Sequence, residues 1–206
     1  MLKVWGRNNS TNVKKVLWCL TELSIEYQQI NAGGKFGKLN EPLYRSLNPN
    51  GLIPCLQDDD FVLWESNAIV RYIALKYGEK STLYLSDIQQ RASAEKWMDW
   101  AHALVAPFKA AFIGLVRTPP EQQDKPKIQQ GIKEWDALMG IANGALEKQP
   151  YLSGQHFGIG DIPLGCMAYA WFNLPIERSD YPHLERWYQQ ISQRPAFKQV
   201  VEIGLS

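Results

Sequence analysis

The chain has 206 residues, 45% of them hydrophobic and 21% charged, with a formal net charge of +1. That length suits one large or two small domains with a real core, and the near-neutral balance gives no reason to expect nucleic acid or a membrane surface as partner. The three cysteines, Cys19, Cys55 and Cys166, are odd in number, far apart and form no CxxC, so neither a disulfide framework nor a zinc site is expected. Buried thiols in a reducing, cytoplasmic setting are expected instead. No apolar run at the N-terminus suits a signal peptide, and none approaches the roughly 18 residues of a membrane span.

In chain order, Leu2–Trp5 predicts a strand and Gly6–Asn12 a polar loop. Val13, Val16, Leu17, Leu20 and Leu23 then recur at helical spacing, with Ser10, Thr11 or Asn12 as the residue that starts the helix. Ile25–Ile30 reads as the next strand, so these three pieces form a βαβ unit with parallel strands. A Gly-rich loop, 31–40, leads to a short helix over Glu41–Leu47. The stretch that follows, Asn48–Tyr72, carries the densest set of signals. Asn48-Pro49-Asn50-Gly51 is a turn, with proline fixing φ and glycine free to take positive φ. Ile53–Leu56 reads as a strand with Pro54 inside it, which demands a free edge, a bulge or a cis bond there. Asp58-Asp59-Asp60 reads as the hairpin turn and Phe61–Trp64 as the returning strand. Glu65-Ser66 then opens a helix through Ala68, Ile69, Tyr72 and Ile73.

The element order β-α-β-α-β-β-α suits an α/β thioredoxin-like N-terminal domain over residues 1–79. Residues 80–87 are polar and irregular, which predicts a linker. From Ile88 to residue 206 the pattern is helical only, giving an all-α C-terminal domain. It holds a long helix through Trp97, Trp100, Leu104 and Phe108 that Pro107 can kink. A second helix runs through Ile132, Trp135, Leu138, Met139 and Leu146, and a third over Ile162–Phe172. Shorter ones cover His183–Ile191 and Pro195–Ile203. Asp161, after Gly158-Ile159-Gly160, is placed to bond back to the start of the third helix.

Two features of the central stretch face one region: an open strand edge beside Pro54 and a helix N-terminus at Ser66. The first can add an extended peptide by main-chain hydrogen bonds; the second can hold a carboxylate. The ligand they suit is short, extended and peptide-like, with a carboxylate at one end. The loop 8–12 lies at the carboxyl end of a parallel strand, where α/β folds place ligands. The histidines, His102, His156 and His183, show no metal-ligand spacing, and no metal is expected.

The run N-P-N-G-L-I-P-C-L, followed by W-E-S-N-A-I-V-R-Y-I, resembles the soluble glutathione transferase family in its bacterial, theta- and zeta-like branch. The resemblance extends along essentially the whole chain. It implies a cis bond before Pro54 and glutathione as cosubstrate. It also implies that Ser10 donates a hydrogen bond to the glutathione sulfur, with Asn12 as the rival donor. Ile53, beside Pro54, would pair with the cysteinyl backbone. Ser66 would hold the γ-glutamyl carboxylate and Glu65 its ammonium. Lys38, or alternatively Lys35, would meet the glycine carboxylate. Leu52 stands where some members carry a further basic residue, so one contact is lost. A small hydrophobic electrophile would be the second substrate, near Trp100, Phe108 and Phe112, and the protein would be a homodimer. No cysteine lies between Gly6 and Val13, so the expected chemistry is conjugation. Disulfide or peroxide reduction by glutathione, and a non-catalytic binding module, are the alternatives.

Overall fold

The computed structural model describes all 206 residues, Met1–Ser206. Strands β1 (Leu2–Trp5), β2 (Tyr27–Ile30), β3 (Cys55–Asp58) and β4 (Phe61–Trp64) form one sheet in the order β2-β1-β3-β4. β1 and β2 run parallel, as a βαβ unit requires; β3 is antiparallel to β1 and to β4. Helices α1 (Thr11–Glu22), α2 (Pro42–Leu47) and α3 (Ser66–Tyr77) complete this first unit, which spans Met1–Tyr84 and takes in Pro195–Ile203. Residues Leu85–Arg194 and Gly204–Ser206 form the second unit.

Three strand boundaries differ from the sequence reading. Pro54 lies before β3, not inside it: the ladder starts at Cys55, the first residue after the proline that has an N–H to give. Asp58 belongs to β3 and pairs with Phe61, so the hairpin turn is the two residues Asp59-Asp60, with Asp59 at φ 53°. The strand read from Ile25 begins at Tyr27.

The boundary between the units also differs. Residues through Tyr84 stay with the sheet, and Leu83 is buried there. The final helix α9 (Pro195–Val200), read as part of the helical domain, packs on α1 instead. Trp18 meets Phe197 edge-on at 5.0 Å, and Lys14 Nζ donates to the Val201 carbonyl at 2.8 Å. The reason lies in α1, where every residue from Val13 to Leu20 is buried. A helix with one apolar stripe leaves its other side to water; here that side is covered, and Lys14 and Lys15 are covered with it.

In the second unit, α4 (Ile88–Trp100) runs through a tight turn at Ala101–Leu104 into α5 (Val105–Phe112) and a wide π-type turn at Ile113–Arg117. Pro107 has no N–H for the Ala103 carbonyl, which accounts for the irregular turn just before it. The wide turn closes with Thr118 N–H on the Ile113 carbonyl at 3.0 Å. Helices α6 (Lys125–Leu146), α7 (Asp161–Asn173) and α8 (Pro182–Ser192) surround an aromatic core. Phe108 stacks on Phe112 and meets Trp135 edge-on, and Trp135 meets Trp171. Phe108 and Phe112, considered above as substrate-facing, are thus buried members of this core. The run Ile88–Arg117 is long and apolar enough to cross a membrane by length and composition alone, a test that core helices also pass.

Candidate functional site

Ser10 occupies the cap position of α1 with extended backbone, φ −88° and ψ 124°, and its carbonyl accepts the Lys14 N–H at 2.9 Å. An ordinary capping serine also turns its hydroxyl onto a first-turn amide. Here no such bond forms, so both the hydroxyl and the first amides of α1 are available to a ligand. Asn12 lies in the first turn, exposed. The loop approaches closely because position 6 is glycine: a Cβ there would stand 2.5 Å from Val13 Cγ2, at φ +152°.

The Ile53–Pro54 bond is cis. The preceding Leu52 carbonyl accepts two hydrogen bonds, from Tyr44 Oη at 2.6 Å and Asn48 Nδ2 at 2.8 Å. The turn Asn48–Gly51 closes with Gly51 N–H on the Asn48 carbonyl at 3.0 Å. The loop is therefore held from behind, while Ile53 N–H and C=O enter neither ladder nor turn. The Ile53 side chain packs against the cluster of Trp5, Ala32, Tyr44 and Cys55, and its Cδ1 lies 3.0 Å from where a Cβ on Gly33 would be. One side chain thus ties the proline loop to the Gly-rich loop.

Ser66 opens α3 and is 6% exposed. Glu65 precedes it at φ 73°, ψ 110°, a conformation that strains a residue with a Cβ by about 1–3 kcal/mol. Its side chain caps nothing, while its carbonyl accepts the Ile69 N–H at 2.9 Å. Behind Ser66 stands a lysine that the sequence reading passed over. Lys15 is 3% exposed, with Nζ 3.5 Å from Ser66 Oγ and 3.4 Å from Asn67 Oδ1. The only signal for it was a Lys-Lys pair set among apolar helix positions.

Lys38 lines a cleft of about 560 Å³ with Gly33, Gly34, Gly37, Asn40 and Pro42, and its Nζ lies 6.0 Å from the Trp5 ring centre. Lys35 stands over the Phe36 ring and does not line that cleft. The structure gathers Ser10, Ile53, Pro54, Glu65, Ser66 and Lys38 in one unit, on loops and helix starts that follow β1, β2 and β4 or precede β3, at one end of the sheet's strands.

The chain's own thiols suit no nucleophilic role. All three cysteines are buried and none is in a disulfide. Burial pushes the Cys55 thiol up to about 11 and, with the Glu22 charge adding, the Cys19 thiol higher still. A nucleophilic sulfur in this site would have to come from a ligand.

A thioredoxin-like unit with a cis proline and two uncapped helix starts, followed by an all-helical unit, defines the glutathione-transferase type of fold. Comparison with known proteins agrees. The model of the glutathione S-transferase N-terminal domain matches residues 1–75, and that of the C-terminal domain matches residues 101–195. Glutathione S-transferase GstB of Escherichia coli is 48% identical, with all of both chains covered. The crystal structure of a theta class glutathione S-transferase from Xanthomonas axonopodis pv. citri, with glutathione bound, superposes at TM-score 0.96. It is 46% identical over 100% of this chain and 99% of that one. Glutathione transferase F2 of Populus trichocarpa, 27% identical over 98% of each chain, gives 0.85. The chain belongs to the glutathione S-transferase family.

Proposed function

We propose that the site binds glutathione as an added strand and hands its sulfur, as thiolate, to small hydrophobic electrophiles. The observation that carries this reading is the start of α1, where Ser10 sits at the cap position without using its hydroxyl to cap. The sulfur would accept that hydroxyl's hydrogen bond and lie against the first amides of α1. A thiol of pKa about 8.5 is only ~3% ionised at pH 7. Lowering it by ~2 units requires ~2.7 kcal/mol of preference for the anion, which one charge-assisted bond and a helix terminus can supply. The thiol proton leaves to solvent and the sulfur lone pair forms the new C–S bond. With chlorodinitrobenzene, the C–Cl bond breaks and chloride departs with its electron pair.

The remaining contacts follow the cosubstrate's length. Ile53 main-chain groups would pair with the cysteinyl residue, Ser66 would take the γ-glutamyl carboxylate and Glu65 the ammonium. Lys38 would take the glycine carboxylate, a choice over Lys35 supported by the cleft it lines. Two of the relatives described above, one named a glutathione S-transferase and one with glutathione bound, support the same cosubstrate. A homodimer fits the exposed apolar side chains Phe61, Trp64 and Leu75, and three buried cysteines without a disulfide fit a reducing cytoplasm.

Alanine at Ser10 and at Asn12, assayed by glutathione conjugation to chlorodinitrobenzene, tests the reading. The true donor should lower turnover ten- to a thousandfold, as loss of an oxyanion donor does; the other should change it little. Wild-type protein that is neither retained on immobilised glutathione nor thermally shifted by millimolar glutathione would sink the reading.

A further inference from the structure

We propose that Lys15 is a positioning residue for the γ-glutamyl end of glutathione: it fixes Ser66 from within the core and stations a positive charge behind the socket. The inference rests on the glutathione reading above and goes one step beyond it. Lys15 lies on α1, four positions after the start of the helix at Thr11, and is 3% exposed. A buried ammonium is costly unless its donors are satisfied by oxygen atoms. Two of the oxygens it reaches belong to the first two residues of α3, Ser66 Oγ at 3.5 Å and Asn67 Oδ1 at 3.4 Å. Both residues are themselves buried, at 6% and 5% exposure.

The direction of these contacts has a chemical consequence. An ammonium can only donate, so Ser66 Oγ accepts from Lys15. The serine hydroxyl hydrogen is then left to be given away, and an incoming carboxylate can take it. The Asn67 amide is oriented in the same way, with its oxygen turned to Lys15. The charge adds to the partial positive charge of the α3 N-terminus, in a place where little water screens it. Lys15 also joins α1, whose first turn meets the sulfur, to α3, whose first turn meets the carboxylate. The two ends of the cosubstrate's binding line are thereby set at a fixed separation. Lys14, its neighbour, is also buried but donates to the Val201 carbonyl on the α9 side, so the two lysines do different things.

The test compares two ligands by calorimetry: glutathione, and γ-aminobutyryl-cysteinylglycine, which lacks only the glutamyl α-carboxylate. The quantity read is the ratio of their dissociation constants. In wild-type protein glutathione should bind more tightly than the analogue. Lys15→Met should shrink that preference about tenfold, the size of one lost charge-assisted contact, while binding of the analogue stays within about twofold. Lys15→Arg, which keeps a donor and the charge, should restore most of the preference. In conjugation assays the Met variant should raise KM for glutathione far more than it lowers kcat. A purely structural lysine would weaken both ligands alike, so an unchanged ratio in the Met variant overturns the proposal. If Lys15→Met does not fold, Lys15→Gln is read against the same two outcomes: a shrunken ratio supports the proposal and an unchanged one overturns it. Wild-type protein that binds neither ligand would instead refute the glutathione reading itself.

Discussion

The two units treat the starts of most of their helices differently. In the helical unit three of the four helices that begin after an irregular segment, α4, α6 and α8, have first amides met by a side-chain oxygen. Asp87 accepts from Gln90 N–H at the start of α4, and Asp124 from Lys127 N–H at the start of α6. α7 is the exception: Asp161 at its start accepts from Gly158, Leu152 and Ser153 N–H in the preceding loop and from Trp187 Nε1 on α8, and so holds the loop and a neighbouring helix, not the amides of α7. α8 is served from another helix, with Asn143 Oδ1 accepting from His183 and Leu184 N–H. In the thioredoxin-like unit α1, α2 and α3 begin with no side-chain cap at all. A capped start contributes stability; an uncapped one keeps its amides for an anion. The difference separates residues that hold the fold from residues that hold a ligand.

That comparison breaks most sharply at Asp161. Burial raises its carboxyl above the usual carboxylate range, against the lowering effect of hydrogen bonds from the Ser153 and Trp187 side chains and the Gly158 and Leu152 N–H groups. Asp161→Ala leaves those donors buried without a partner. It should destabilise the protein by at least about 3 kcal/mol in denaturant melts. Ser10→Ala should do the converse, lowering turnover strongly while moving the melting midpoint by less than about 0.5 kcal/mol, because no cap is lost. A large stability loss at Ser10 would show that the two kinds of helix start are not distinct. Asp87→Ala and Asp124→Ala should each cost about 1 kcal/mol of stability and leave the KM for glutathione unchanged.

A pH series sharpens the same contrast within the thioredoxin-like unit. Asp58 is one of its structural carboxylates, with Oδ2 accepting from Tyr72 Oη at 2.6 Å, Lys76 Nζ at 2.6 Å and Tyr77 Oη at 2.7 Å. Desolvation opposes the charge, but the bonds from Lys76, Tyr72 and Tyr77 win and hold the carboxyl at about 2. An unfolded aspartate titrates near 3.9. The folded value is the lower one, so the network stabilises above that pH and its contribution is lost as pH falls toward 2. Wild type should therefore outlast Asp58→Asn in thermal melts at pH 6, with the gap closing between about pH 4 and pH 2. A gap that persists at the acid end would mean that packing, not charge, carries the effect.

Much of the site was legible because its parts are local. The Asn-Pro-Asn-Gly turn, the cis bond at Pro54, the Glu-Ser opening of α3 and the Ser10 loop each depend on residues a few positions apart, and each was found, although Pro54, read as lying inside β3, stands before it. What escaped depends on distant partners. Lys15 carries no local signal of its contacts, because two of its partners, Ser66 and Asn67, stand at the start of α3, more than fifty residues away. The Leu52 carbonyl is held by Tyr44 and Asn48 from α2 and the turn after it, which no spacing suggests. The last helix read as a member of the helical domain because amphipathic pattern tells what a helix buries, not against what.

By itself the sequence determined the order of elements, the place of the helix starts and the absence of a cysteine from the first loop. Those follow from backbone rules that act over a few residues: proline lacks a donor, serine and aspartate compete for amides, and apolar side chains recur with the period of the element. Only the tertiary structure decided which helix starts stay open and which lysine stands behind Ser66. A free hydroxyl or a buried charge is a property of what surrounds a group, and the surroundings here come from segments more than fifty residues apart.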